Sequence, residues 1–231
     1  MSFDKETALV TGASRGLGFA VSRALAAAGA QVIALARTQG GLEELDDAIA
    51  EDGGTPPILV AMDIAKPVDG LTTALAGRIP HLDYWIHTAI YAPPLSPVEH
   101  MDPKDLSSSL KVNLTGTAEL IKAIDPLLRR APAGRAVFFE DPAANGGGVH
   151  GAYGAGKSGA LVLARAWGET LRKTSPGRVV FATPPPMATG LRARFYPGED
   201  SSQFTATSAV GTRLLEALRN DGTAENVIDL R

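Results

Sequence analysis

Tyr153 and Lys157 stand four residues apart in a stretch, Gly151 to Arg172, that is rich in alanine and leucine. At that spacing two side chains share one face of a helix. An ammonium beside a phenol favours the phenolate and draws the tyrosine pKa towards working pH, as acid–base chemistry requires. Two carboxylates, Glu140 and Asp141, close the apolar run Arg135 to Phe139 about a dozen residues earlier, and His150 lies three before the tyrosine. No serine or threonine falls between Arg135 and Tyr153. An ionised carboxylate repels a developing alkoxide. A protonated one in a dry pocket, or His150, would donate a hydrogen bond instead. The plain alternatives are two solvent-facing carboxylates at a strand end and a loop histidine.

A second constellation lies at Thr11-Gly12-Ala13-Ser14-Arg15-Gly16-Leu17-Gly18, after the apolar run Ala8 to Val10 and before a helical segment from Phe19 to about Ala28. Strand, glycine-rich turn and helix in that order form a cradle for a dinucleotide phosphate. Glycines let the backbone turn and approach the pyrophosphate, and the helix N-terminus offers unpaired N–H groups and partial positive charge. The cradle residues are Gly12, Ser14, Arg15, Gly16, Leu17 and Gly18. The second apolar run ends at Ala36 and Arg37 rather than at a carboxylate, which would bind a ribose 2′-hydroxyl. Arg15 and Arg37 together would clamp a 2′-phosphate, so NADP(H) is expected over NAD(H). The alternative for Arg37 is a solvated loop arginine.

The elements that must position these groups alternate along the chain. Strands are expected at Thr7–Val10, Gln31–Ala36, Ile58–Met62, Leu82–Ala89, Arg135–Phe139, Arg178–Ala182 and, at an edge, Asn226–Leu230. Helices are expected at Phe19–Ala28 (stopped by Gly29), Leu42–Ala50, Val68–Ala76, Pro103–Ile124, Gly151–Arg172 and Ala209–Leu218. Prolines 93, 94 and 97 and the run Pro184 to Pro186 mark loops, Gly146 to Gly148 a tight or mobile one, and residues 190–207 look irregular. The pattern predicts a single α/β domain over 1–231. Its architecture is a doubly wound parallel sheet of Rossmann type, helices on both faces, with a crevice at the carboxyl ends of the strands.

Composition narrows the function. A net charge of −3 does not suit nucleic acid or a membrane surface. The absence of cysteine excludes disulfides, a thiol nucleophile and thiolate metal ligands, and no metal site is expected. With no basic–apolar leader and no apolar run near the roughly 20 residues that cross a bilayer, a cytoplasmic protein is expected.

TGASRGLG at 11–18, Asp63 after the third strand, Asn113 in the long helix and Tyr153-Gly-Ala-Gly-Lys157 stand in the order found in the short-chain dehydrogenase/reductase family. The chain resembles that family over essentially its whole length. The resemblance implies an oxidoreductase of the carbonyl reductase or alcohol dehydrogenase type, moving hydride at a nicotinamide while Tyr153 exchanges a proton with the substrate oxygen. Lys157 would also bind the nicotinamide ribose, and Asn113 would anchor a water in a relay to Lys157. Asp63 and Ile64 would sit against the adenine, with Ala89 at the cofactor and Thr189 on the carboxamide. For Asp63 the plain alternative is a solvated carboxylate, and for Thr189 a helix cap, which is compatible. Residues 190–207 would form a substrate lid, in which Arg192 and Arg194 would meet an acidic substrate or simply face solvent. A homodimer or homotetramer is implied.

Three family signatures differ. Asp141, or Glu140, stands where a serine is usual. His87-Thr88-Ala89-Ile90 replaces Asn-Asn-Ala-Gly, with His87 read as a packed core histidine. Pro185 replaces a glycine. A catalytically quiet, nucleotide-binding sensor or assembly partner is therefore the competing reading.

Overall fold

The computed structural model describes residues 2–145, 147–220 and 226–231. Gly146, in the expected glycine loop, lies outside them. Among the described residues the strands are β1 (Thr7–Thr11), β2 (Gln31–Ala36), β3 (Ile58–Ala61), β4 (Tyr84–His87), β5 (Arg135–Phe139), β6 (Arg178–Thr183) and β7 (Val227–Asp229). They form one all-parallel sheet in the order β3-β2-β1-β4-β5-β6-β7. The helices are α1 (Gly16–Ala27), α2 (Gln39–Glu51), α3 (Asp69–Ala76), α4 (Pro103–Ser109), α5 (Thr117–Leu128), α6 (Gly151–Thr174), α7 (Gly190–Phe195) and α8 (Thr207–Asn220).

Strand alternation divides the core in two. Ala8, Val10, Val32, Ala34 and Val137 face one layer with Leu17, Val21, Leu45 and Leu214 from α1, α2 and α8. Leu9, Ile33, Leu35, Trp85 and Phe138 face the other, with Leu71, Ile124 and Trp167 from α3, α5 and α6. Central strands such as TALVT are wholly buried because both faces are covered, whereas β7 at the edge is largely exposed. The chain reverses direction across the sheet between β1 and β4. That switch point opens the crevice at the strands' carboxyl ends.

Two expected elements come out differently. The long helix at 103–124 divides into α4, a π-helical segment Leu110–Gly116, and α5, which runs on to Leu128 through Pro126. The π segment contains Asn113, whose Oδ1 accepts from Tyr91 N at 2.7 Å and whose Nδ2 donates to Tyr91 O at 2.9 Å. Holding the loop after β4 in this way takes the side chain off regular helical register, a use to which π-bulges are often put. Residues 190–207 are partly regular. Thr189 caps α7 by accepting from Arg192 N at 3.3 Å, and a short 3-10 turn follows at Ser201–Gln203.

No described helix is long and apolar enough to cross a membrane.

Candidate active site

The cradle is built by close backbone contact. Gly12 has φ +86°, and a Cβ there would stand 2.6 Å from Ala89 N. A Cβ on Gly18 would stand 2.4 Å from both Gly12 O and Thr88 Oγ1. These two glycines therefore let α1 and β1 seat against the end of β4. Gly16 differs. Its φ is +58°, yet a Cβ there would meet only the Thr189 side chain, at an ordinary contact distance of 3.7 Å. α1 begins at Gly16 with no side-chain cap from Arg15 and no acid in its first turn. Its first amides are thus left for an anion. Arg15 and Arg37 are exposed, and neither pairs with a carboxylate among the described residues. These residues fit a dinucleotide phosphate, and Thr189 lies beside the turn. Asp63 follows β3, with its Oδ1 accepting from Ala65 N at 3.0 Å. Ile64 is buried in the core layer of α3 and α5.

The structure separates the two carboxylates. Tyr153 donates its phenolic proton to Asp141 Oδ2 at 2.7 Å, and Asp141 Oδ1 accepts from Ala143 N at 2.9 Å. Glu140 turns the other way. Its Oε1 accepts from Arg165 at 2.6 Å and its Oε2 from Thr183 at 3.3 Å, at the surface. Asp141, not Glu140, is therefore the carboxylate that partners Tyr153. Burial and the negative charge of Asp141 push the Tyr153 phenol well above the ordinary tyrosine range. Burial lowers the Lys157 ammonium to about 8, against the opposing pull of Asp141 and Glu140.

Asn113 is committed. Besides bracketing Tyr91, its amide donates to Ser109 Oγ at 3.1 Å. Its carbonyl accepts from Thr117 Oγ1 at 2.7 Å. Thr117 belongs to a buried chain that sequence reasoning missed. Because Thr117 spends its proton on Asn113, it must accept from His87 Nε2 at 3.0 Å. His87 Nδ1 is then the acceptor for Thr11 Oγ1 at 2.7 Å, and Thr11 takes the Trp85 indole N–H at 3.2 Å. Burial first, and the positive charge of Lys157 second, lower His87 to about 3. His87 is thus a neutral core histidine that ties β4 to the Asn113 turn.

Over the dyad lies an apolar wall. Phe195 meets the Tyr153 ring edge-on at 4.8 Å, and Ile90, Ala92, Leu95, Ala143 and Leu191 pack against Tyr153, Ala144 and Phe195. Phe195 is a second residue missed from sequence. The signal was Leu191 and Phe195 at helical spacing behind the Thr189 cap. His150 is buried between Phe195 and Tyr196, with ring centroids at 5.2 and 6.0 Å, and does not reach Tyr153 through a hydrogen bond. Arg192 is spent on Glu199, at 2.8 and 2.6 Å, and stacks on Tyr196 and Phe204, while Arg194 faces solvent.

A parallel sheet with its phosphate cradle at the switch point, and a tyrosine and lysine one helical turn apart beside it, defines a dinucleotide-dependent oxidoreductase. The family model for short chain dehydrogenase matches residues 6–200, and the chain belongs to that family. It is 32% identical over 205 residues to the uncharacterized oxidoreductase YciK of Escherichia coli (strain K12), a match covering 85% of this chain and 79% of YciK. A provisionally assigned short chain dehydrogenase from Pseudomonas syringae superposes with a TM-score of 0.91 at 29% identity, covering 99% and 95% of the two chains. A Shigella flexneri protein of the same assignment, complexed with NADP, gives a TM-score of 0.91 at 25% identity, covering 98% and 97%.

Proposed function

We propose that the protein is an NADP(H)-dependent oxidoreductase of a small molecule, with Tyr153 moving the proton at the reacting polar bond. The observation that carries this reading is Tyr153 buried under Phe195 with Lys157 one helical turn along α6. The cofactor would lie with its pyrophosphate on Gly16, Leu17 and Gly18, its 2′-phosphate between Arg15 and Arg37, its adenine by Asp63 and Ile64 and its nicotinamide near Ala89 and Thr189. When bound it supplies or accepts the hydride. Lys157, charged below about pH 8, would hold the ribose and set the field at the phenol. The NADP complex of the Shigella flexneri neighbour, and Arg15 and Arg37 with no carboxylate partner among the described residues, support the phosphorylated cofactor over NAD(H). The family resemblance implies a carbonyl or alcohol substrate, and the carboxylate at the serine position bears on that choice. The segment 190–207 acts as the lid, its Phe195 excluding water, and assembly into a homodimer or homotetramer in the cytoplasm completes the reading.

One observation favours the quiet, nucleotide-binding alternative, namely a phenol whose only proton is already engaged. The experiment that separates the two is a substrate panel with NADPH, run beside Tyr153→Phe and beside titrations of NADPH and NADH. Turnover abolished in the variant, with NADPH bound tighter than NADH, is the expected result. Tight cofactor binding without turnover anywhere overturns the enzyme, and tighter NADH binding overturns the clamp.

A further inference from the structure

The donor and acceptor inventory at the dyad specifies a substrate. A phenol has one proton, and Tyr153 gives it to Asp141 Oδ2 at 2.7 Å. Asp141 Oδ1 is occupied by Ala143 N. Both amide protons of Asn113 are used within the protein, on Tyr91 O and Ser109 Oγ. What the dyad turns to a substrate is therefore lone pairs and one negative charge. A ketone or aldehyde needs the opposite, a donor aimed at the oxygen on which negative charge develops. A protonated carbon–nitrogen double bond matches what is there. Its N–H donates, its charge is positive, and reduction removes that charge rather than creating an anion. The apolar wall of Ile90, Ala92, Leu95, Leu191 and Phe195 strengthens the match. In a medium of low dielectric the attraction of a carboxylate for a cation, and its repulsion of an alkoxide, both grow.

We propose that Asp141 makes this site selective for carbon–nitrogen double bonds, so that the substrate is an imine bound as its iminium and the product an amine. The inference rests on the oxidoreductase reading above. In the reduction, hydride from the dihydronicotinamide adds to the iminium carbon, the π pair of the C=N bond becomes the nitrogen lone pair, and the nicotinamide is oxidised. No proton need be delivered in that step, so on an iminium Tyr153 serves as a hydrogen-bond acceptor and not as the proton carrier that a carbon–oxygen bond would require. Asp141 and Tyr153 hold the N–H in place by accepting from it. A neutral imine first takes its proton from water, on which the dyad's charge acts favourably. In the opposite direction the neutral amine loses hydride and the dyad stabilises the cation that forms.

The test is a matched panel of cyclic imines and ketones of equal ring size, reduced with NADPH by the wild type, Asp141→Asn and Asp141→Ser. The wild type is expected to favour each imine over its ketone by at least tenfold in kcat/KM. Asp141→Ser, which restores a hydroxyl donor, is expected to reverse that preference. Asp141→Asn is expected to lose at least tenfold on imines. Independently of turnover, a cyclic ammonium ion such as pyrrolidinium should perturb the fluorescence of bound NADPH in the wild type and not in Asp141→Asn. The proposal is overturned by a wild type that prefers ketones, by an Asp141→Ser variant that loses both substrates alike, or by NADPH binding with no imine reduced. Failure to bind NADPH at all marks instead the failure of the underlying oxidoreductase reading, and the proposal falls with it.

Discussion

Tyr153 donates its phenolic hydrogen bond to Asp141 Oδ2 across 2.7 Å, so the carboxylate beside the phenol is a pure acceptor. The pair sits under Phe195 with Tyr153 almost wholly buried. Burial alone would disfavour a phenolate, and a carboxylate beside it adds like-charge repulsion. Lys157 is buried as well, which lowers its ammonium to about 8 despite the pull of Asp141 and Glu140.

That balance is measurable in the protein without any substrate. The ultraviolet difference titration between wild type and Tyr153→Phe is expected to show no phenolate from Tyr153 through roughly pH 11, beyond the ordinary phenol near 10. Asp141→Asn removes the charge and keeps the shape, and it should bring a phenolate signal into that range. A Tyr153 signal near pH 10 in the wild type would show that the carboxylate does not control the phenol.

The site's legibility in the sequence followed its locality. The cradle residues 11–18 are consecutive, and each carries its reason within a few residues, so their arrangement was readable. Tyr153 and Lys157 share a helix, and their spacing was enough. Glu140 and Asp141 could not be told apart because they are adjacent, and the choice is made where the chain leaves the sheet. Glu140 N still donates to Ala182 O at 2.8 Å, so Glu140 obeys strand alternation and turns to Arg165. Asp141 is the first residue beyond the ladder, and its carboxylate accepts from Ala143 N as the turn begins. The π segment was illegible for a different reason. It depends on Tyr91 meeting Asn113 across 22 residues of sequence, and no local propensity encodes that.

His87 supplies a pH-dependent term to stability. Its pKa is lowered to about 3 in the fold from 6.5 when exposed. Above pH 6.5 both states are neutral and nothing is lost. As pH falls from 6.5 towards 3 the unfolded chain binds a proton that the folded one refuses, so stability falls with pH. Between pH 7 and 5 the loss from this group is about 2 kcal/mol by linkage. His87→Gln keeps a donor and an acceptor for Thr117 and Thr11 and removes the titration. Urea unfolding at the two pH values should therefore show the wild type losing more stability than the variant by that amount. Equal losses in the two proteins would mean that His87 titrates alike in both states.

The three cradle glycines are expected to fail in different ways when given a methyl group. At Gly18 an alanine Cβ would lie 2.4 Å from Gly12 O, a backbone atom that cannot rotate away, and equally close to Thr88 Oγ1. Gly12 is as tightly set against Ala89 N at 2.6 Å and carries φ +86° as well. Either substitution must part α1 from the end of β4, and overpacking of this kind costs roughly 1–3 kcal/mol. Gly16→Ala meets only the Thr189 methyl, at 3.7 Å. Its cost is the left-handed backbone, about 1–2 kcal/mol. If the space beyond Gly16 is where the pyrophosphate lies, this milder change should still weaken NADPH binding at least tenfold, because the new methyl points where the phosphate must approach. Gly16→Ala is thus expected to keep most of its thermal stability and lose the cofactor, while Gly12→Ala and Gly18→Ala lose both. Thermal melts and NADPH titrations on the three variants check this. A Gly16→Ala protein that binds NADPH as tightly as the wild type would move the phosphate off the turn.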